Sequence, residues 1–414
     1  MNKTGQTGAP AARPLPGFAE FVCLMAITIG LVALSIDNLL PAFGPIAADY
    51  GIEDGNRMQM MIYVFMSAFG LMQIVYGPLA DSFGRKSVLM GGLAVYAVGT
   101  IMAIFADSYE HLLIARFVQG LGAAAPRVLT IAITRDCFEG REMARVMSFV
   151  MMIFIVVPVF APASGSLILM LANWHMIFVS TLALAIIIAI WYTLRMPETL
   201  KPEYRHKLSL RRIARDIKTT VTTRQTVGYS TAMGLSFAFL MAYIGSAQQI
   251  FEGEVYGLGV WFPLVFGMIA ACMSVSSFTN ARLVRKLGMH KMSQGGLVVM
   301  LISSTINLCI AVAYDGVPPL PIFAVGLTIT LFCFSMTMPN FNSLAMEPLG
   351  AIAGTASSMI GVSSTLIGVL AGGIIGQQFN GTVTPLITGY LVLSVLTLTV
   401  VAITERGKMF KPTH

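Results

Sequence analysis

Runs of about twenty apolar residues, separated by short polar turns, recur along nearly the whole chain. Two of them, 58–76 and 88–106, flank the ten-residue stretch G-P-L-A-D-S-F-G-R-K from Gly77 to Lys86, which gathers Asp81, Arg85 and Lys86 into one turn. Each run approaches or exceeds the roughly 18 residues that a helix needs to cross a bilayer, so the charges between them belong at a membrane face. The same reading predicts twelve spanning helices, at residues 18–43, 57–80, 87–106, 110–134, 146–170, 174–195, 226–250, 259–281, 292–313, 319–341, 354–376 and 384–404. Lengths of this kind suit helices and are too long for barrel strands. The fold class expected is therefore an all-α polytopic membrane protein. Its first span is read as a retained helix, because a long apolar run with no small-residue cleavage site does not resemble a removable signal peptide.

Composition agrees with the pattern: 56% of the residues are hydrophobic and 11% charged, too little polar surface for a soluble protein of 414 residues. Charge then orients the chain. With the N-terminus on the cytoplasmic side, nearly every Lys and Arg outside the spans falls inside, as retention of basic residues at the cytoplasmic face requires. Arg57 is the exception among the loops, and Arg116 and Arg127 lie within the fourth span. The outer loops collect acids instead, namely Asp49, Glu53, Asp54, Asp107, Glu110, Glu252, Glu254 and Asp315. The net charge of +7 is thus a topology signal and implies no nucleic-acid partner. Cys23, Cys137, Cys272, Cys309 and Cys333 are scattered and form no C-x-x-C pair, so neither a disulfide framework nor a metal site is expected.

The longest polar segment, from Pro197 to Arg224, carries Lys201, Arg205, Lys207, Arg211, Arg212, Arg215 and Lys218 and divides the spans six and six. The organisation expected is a cytoplasmic tail at 1–17, a six-helix bundle at 18–196, a basic linker at 197–225, a second bundle at 226–404 and a short cytoplasmic tail at 405–414. Part of the linker, 209–220, could form a helix lying on the anionic inner leaflet. Leu79 to Lys86 (L-A-D-S-F-G-R-K) aligns faintly with Leu283 to His290 (L-V-R-K-L-G-M-H), each after the second span of its half, as a duplicated transporter would show.

These residues resemble the major facilitator superfamily, and within it the twelve-helix drug:proton antiporter branch, closest to the Bcr/CflA group. The loop matches the signature G-x-L-x-D-R-x-G-R-K at Gly77, Leu79, Asp81, Gly84, Arg85 and Lys86, with Ser82 in place of the usual basic residue. Leu113 to Gly122 resembles the helix 4 motif through Arg116, Gln119 and Gly120, and Ala161 to Gly165 (A-P-A-S-G) resembles the helix 5 antiporter motif. Asp37 with Leu40-Pro41-Ala42, Pro197-Glu198-Thr199-Leu200 and Pro339-Asn340 match as well. The resemblance implies two pseudo-symmetric bundles in the inner membrane, proton coupling and export of small amphipathic molecules or drugs by alternating access. It also implies a gating role for the Gly77–Lys86 loop, with Asp81 accepting hydrogen bonds from the start of helix 11 at Gly354 and Thr355. Arg85 would orient Asp81, alone or with Arg141 or Arg145.

Candidate chemistry begins with Asp37, an acid well inside a span, where an ionised carboxylate is costly and must be paired, hydrated or protonated for part of a cycle. Asp37 and Arg116 each lie about six residues from the middle of their helices, roughly 9 Å toward the outer face at about 1.5 Å per residue, so a direct or water-bridged pair is possible. Two readings stand: Asp37 carries the coupled proton and releases Arg116 when protonated, or the two form a permanent structural pair. Arg127 lies eleven residues after Arg116, about 20° of rotation, so both share a helix face. It either offers its planar fork to an anionic or zwitterionic substrate, or snorkels to the interface and neutralises a carbonyl freed by Pro126. Tyr63, Tyr243, Gln248 and Asn340 are further substrate-site candidates, with Gln73 and Asn342 beside them. Pro158, Pro162 and Gly165 supply bends and close contacts for a moving helix 5.

No nucleotide-binding G-x-x-x-x-G-K-S/T, metal-ligand cluster or nucleophile–base pair is present in the sequence. An enzyme and a cofactor are not expected; the partners expected are a small-molecule substrate, protons and membrane lipids, around a monomer. Transport of an anionic or zwitterionic metabolite, siderophore or peptide through Arg127 is the alternative, and a non-transporting sensor a more distant one.

Overall fold

A computed structural model of the chain describes residues 15–200, 203 and 210–410. The N-terminal tail through residue 14, the basic residues Lys201, Arg205 and Lys207, and the last four residues lie outside the described residues. Fourteen α-helices occur in the order α1 (Phe18–Asp37), α2 (Phe43–Asp49), α3 (Asn56–Phe83), α4 (Arg85–Ile104), α5 (Tyr109–Cys137), α6 (Gly140–Leu171) and α7 (His175–Arg195), then α8 (Leu210–Thr222), α9 (Arg224–Ala247), α10 (Phe262–Leu287), α11 (Met289–Ala313), α12 (Leu320–Met346), α13 (Ala353–Gly376) and α14 (Thr384–Thr404). α1 and α2 join through a tight turn at Leu40–Ala42 into one span, so the described residues hold twelve helices long and apolar enough to cross a membrane. They form two six-helix bundles, α1–α7 and α9–α14, a multi-pass membrane protein.

Helices are what a lipid-facing chain must form, because the hydrocarbon offers no partner for a free backbone N–H or C=O. Prolines interrupt this bonding at Pro78, Pro126, Pro158, Pro162 and Pro339 without ending their helices. Some buried hydroxyls donate to the backbone of the turn before, as Thr28 does to Leu24 and Ser35 to Leu31, which satisfies those donors. Where α4 crosses α5 the backbones touch: a Cβ on Gly122 would stand 2.2 Å from the Tyr96 nitrogen. Packing this close is how helices associate where lipid removes the hydrophobic drive, and it sets the rotation of α5 and of its arginines.

The bundles meet along α3 and α13 and along α6 and α10. The amphipathic α8 rests one face on α13 and α9, burying Asp216 and Thr220, and leaves Arg211, Arg215 and Lys218 exposed. That pattern fits a helix seated on the protein at one face and open to headgroups on the other. The termini and α8 share one face of the molecule; the turns at 50–55, 253–258, 314–319 and 377–383 form the opposite face, called here the far side.

Candidate functional site

Asp37 ends α1 and is buried, at 5% exposed. Among the described residues no donor or cation bonds its carboxylate. Tyr243 of the other bundle lies within electrostatic range of it, and the Tyr243 hydroxyl is itself buried without a hydrogen-bond partner. The ring of Tyr243 is fixed by stacking on Phe266, with centroids 5.3 Å apart and planes 15° from parallel. The A-P-A-S-G motif of α6 holds the backbone next to the acid. Ser164 donates to Asn38 Oδ1 at 2.8 Å, and Gly165 lets α6 approach so closely that a Cβ there would stand 2.1 Å from the Asn38 carbonyl oxygen. Pro162 and Pro158 lie about one and two turns earlier on the same helix.

Arg116 does not pair with Asp37 in this conformation. Its guanidinium donates to Gln119 Oε1 at 2.5 Å and to the Met61 carbonyl at 3.2 Å, and lies over the Phe65 ring at 4.4 Å. The chain of bonds continues from Gln119 to the Thr100 hydroxyl, which donates to the Tyr96 carbonyl one turn back on α4; the Tyr96 hydroxyl separately meets Ser35 Oγ at 2.6 Å, two residues before Asp37. One guanidinium nitrogen, Nη2, stays buried and unpartnered. Gln119, on the same helix one turn on, engages the arginine locally instead. Arg127 differs from Arg116: it is partly exposed, and no ion pair or side-chain hydrogen bond engages it among the described residues.

The far side is closed by neutral amides. Seven hydrogen bonds among the described residues cross between the bundles there: Gln59 to Gln249 and the Gly376 carbonyl, Gln249 to Asn56, Asn56 to the Gln377 and Phe379 carbonyls, Gln377 to the Asn56 carbonyl, and Tyr63 to the Gly372 carbonyl. None involves a charged side chain. Gly376 packs on this seal so tightly that a Cβ would stand 2.2 Å from the Tyr63 hydroxyl. At about 1 kcal/mol per bond, Gln59→Ala removes about 2 kcal/mol from the closed state, and the ratio of open to closed molecules rises about thirtyfold. Pulsed electron-paramagnetic-resonance distances between labels at Glu53 and Asn380, both exposed, in a protein whose five native cysteines are replaced, check this. An unchanged distance distribution would deny the seal any part in closure.

On the termini face, Gly84 sits at φ +96°, a conformation that turns α3 sharply into α4. Arg85 is then buried and reaches back to Asp81 at 2.5 Å and across to Asp136 of α5 at 2.8 Å. Asp81 therefore serves Arg85, and no bond joins it to Gly354 or Thr355 of α13 among the described residues. Nor do the next-loop arginines share it: Arg145 pairs with Glu142 at 3.8 Å and covers Phe18. Glu198 accepts from the backbone N–H groups of Arg85 and Lys86 at 2.8 and 3.2 Å, an anion on the positive end of α4. Lys86 donates to the Thr193 and Met196 carbonyls that end α7. Gly77 faces the other bundle, where its Cβ would make an ordinary 3.4 Å contact with Ser358 Oγ.

A family model described as Major Facilitator Superfamily matches residues 25–373. The chain belongs to the Major Facilitator Superfamily. It is 30% identical over 368 residues to a bicyclomycin resistance protein homolog of Haemophilus influenzae, covering 89% of this chain and 91% of that one. It is 26% identical over 314 residues to the chloramphenicol resistance protein CraA of Acinetobacter baumannii, covering 73% and 72%. Among solved structures, the peptide transporter POT in complex with sulfate superposes with a TM-score of 0.74 at 13% identity, over 97% of this chain and 98% of that one, which bears on the fold alone. The protein is a superfamily transporter whose relatives are named for drug resistance.

Within this superfamily member, some sequence candidates are occupied by structural work. The Asn340 amide donates to Asn280 at 2.8 Å and to the Met336 carbonyl, a contact between α12 and α10. Tyr63 belongs to the far-side seal. Gln248 lies one turn from Glu252 in the π-helical turn at the end of α9. Tyr243 and Arg127 remain with polar atoms to offer. Sequence reasoning also missed a buried cluster in the second bundle, where Tyr229 donates to Glu405 at 2.5 Å and His290 lies 3.8 Å from the same carboxylate. The faint repeat that aligns His290 with Lys86 was the available signal: in both bundles a glutamate just past the sixth span approaches the start of the third.

Proposed function

We propose that the protein is a proton-coupled antiporter that exports small amphipathic molecules across the bacterial inner membrane by alternating access, working as a monomer in lipid with both termini cytoplasmic. The observation that carries this reading is Asp37: a carboxylate in a spanning helix, without an ion-pair partner, facing the second bundle at Tyr243. An unpaired acid is affordable there when it holds a proton, and becomes ionised when the site opens to water or meets a cationic or hydrogen-bonding substrate. The free Tyr243 hydroxyl can bond the carboxylate or the substrate in turn. Proton and substrate then compete for one acid, which is the requirement for exchange. The far-side amide seal is the closure that would have to open for the site to reach the outer face. ATP-driven pumping and membrane enzymology are disfavoured by the absence of the corresponding motifs in the sequence.

Purified protein in liposomes with an acidic lumen tests the reading. Uptake of amphipathic compounds should follow the pH gradient and be matched by proton exit, read with a pH-sensitive dye. Uptake that ignores the gradient would overturn it.

One observation favours a second reading of the substrate. Arg127 is a partly exposed guanidinium with no carboxylate partner among the described residues, and such a cation suits a carboxylate or phosphate. If it binds substrate, Arg127→Gln lowers transport of zwitterionic and anionic compounds about tenfold, the loss of about 1.4 kcal/mol from one charge-assisted hydrogen bond, and leaves cationic dyes unaffected. Equal losses across all charge types would assign Arg127 to structure instead.

A further inference from the structure

Glu252 does not lie in an outer loop, where its place in the sequence puts it. The helix of α9 continues past Ala247 as a π-helical turn, Gln248–Glu252, with Gly253 N–H and Glu254 N–H bonding back five residues to the Gln248 and Gln249 carbonyls. Such widened turns are uncommon and concentrate at functional positions. This one packs on α10, on the turn at Gly259–Trp261, and across the bundle interface on Leu40–Ala42, three residues beyond Asp37. Gln248 lies beside the Glu252 carboxyl; the residue is partly exposed, but its Oε2 is enclosed and has no partner.

The groups around it offer no compensating charge. The turn at Leu40–Ala42 brings only Asp37, from α1; α3, bonded to the turn through Gln249, brings Tyr63 and Arg57, which is paired with Glu110; α9 brings Tyr243; the following loop brings Glu254 and Tyr256. The Gly259–Trp261 turn carries nothing titratable, and the charged residues of α10, Arg282, Arg285 and Lys286, lie at its other end. The neighbouring side chain of Phe251 is wholly buried among Tyr243, Tyr256 and Phe323. An enclosed carboxylate oxygen with neither donor nor cation penalises the ionised form strongly, whereas the neutral acid carries its own proton.

The same short turn also builds the far-side seal. Gln249, three residues before Glu252, bonds Gln59 at 2.6 Å and Asn56 at 2.8 Å. Opening the seal must move this turn and admit water to the acid. We infer that Glu252 is a second proton-binding site, which takes a proton from water on the outer side as the amide seal closes and returns it there as the seal opens. The inference rests on the alternating-access reading above and deepens it by naming what regulates the outer closure. Its test follows a distance and not a flux, so the two readings fail separately.

The closed state binds one proton more than the open state at this residue, so the ratio of closed to open molecules rises as pH falls, by at most about tenfold per pH unit. The experiment is the Glu53–Asn380 label distance in lipid nanodiscs across a pH series, without substrate. Wild type should shift from closed to open as pH rises. In an Asp37→Asn background, where Asp37 can add no proton step of its own, Glu252→Gln, a neutral isostere of the protonated acid, should stay closed throughout, while Glu254→Gln keeps the transition. Glu252→Asp retains an acid on a shorter stem and should keep the transition at a displaced midpoint, which guards against a Gln variant that does not fold. A wild-type pH response in Glu252→Gln on that background, an unmoved midpoint in Glu252→Asp, or loss of the response in Glu254→Gln instead would each overturn the assignment.

Discussion

Asp37→Asn should abolish gradient-driven transport while sparing the fold. Asparagine keeps the size and the hydrogen-bonding capacity of the side chain but cannot exchange a proton, so the coupled step is removed and not merely weakened. Uptake into acid-loaded proteoliposomes should fall by about a hundredfold or to the level of empty vesicles, because a missing proton carrier breaks the cycle. Exchange of substrate across the membrane without a gradient should persist, since the neutral side chain resembles the protonated acid. Binding of neutral compounds should change little, whereas cationic compounds that pair with the carboxylate should bind more weakly. Gradient-driven uptake at the wild-type rate would remove Asp37 from the mechanism. The network of Arg116, Gln119, Thr100, Tyr96 and Ser35 is separate from that carboxylate in this conformation, so the variant leaves no cation newly unpaired.

Arg85→Ala should be the most damaging change on the termini face. Arg85 is 5% exposed at its side chain and joins Asp81, which is 49% exposed, to Asp136, which is 16% exposed. The bond to Asp81 is mostly solvated and contributes at most about 1 kcal/mol. Asp136 is different: deleting the arginine leaves a mostly buried carboxylate without a cation, a loss of about 3–5 kcal/mol. Unfolding in mixed micelles should show a destabilisation of that size. Arg85→Ala combined with Asp136→Leu should recover much of it, because the penalty belongs to the unpaired charge. If the double variant is no more stable than the single one, the loss lies in packing around α4 and the ion pair is not its source.

The charged residues that break apolar runs were the legible part of the site. Asp37, Arg116 and Arg127 stand out because a charge inside a span is expensive and therefore needs a reason. The turn at Gly77–Lys86 was legible for the same reason, whereas the positive φ of its Gly84 came from the structure. Partners were not legible. Counting residues along a helix gives depth in the membrane but not rotation about the axis or the identity of the helix across from it. Asp37 and Arg116 were matched in depth, yet the close backbone contact of α4 with α5 at Gly122 turns Arg116 toward Gln119 and Met61. Asp81 was read against α13 and is instead claimed by Arg85, four residues on.

Neutral residues gave weaker signals still. Asn56, Gln59, Gln249 and Gln377 carry no charge, lie near predicted span ends, and would read as ordinary interface residues in any one helix. They acquire meaning only when three separate segments converge. Glu252 was misplaced because hydropathy falls off before it, while the backbone stays helical through a π-turn that composition does not mark.

The sequence by itself determined the twelve spans, their helical state, the division into two sets of six and the family, since all follow from apolar run length, from the lack of backbone partners in lipid, and from motifs local in the chain. Only the tertiary structure decided which polar groups are satisfied and which are left free. Satisfaction depends on distances of about 3 Å between segments up to 323 residues apart, as between Asn56 and Phe379. It set Arg116 inside a network, left Arg127 and Asp37 unpaired, and enclosed one oxygen of Glu252, because helix rotation and approach are fixed by packing across the bundle and not by any single run of residues.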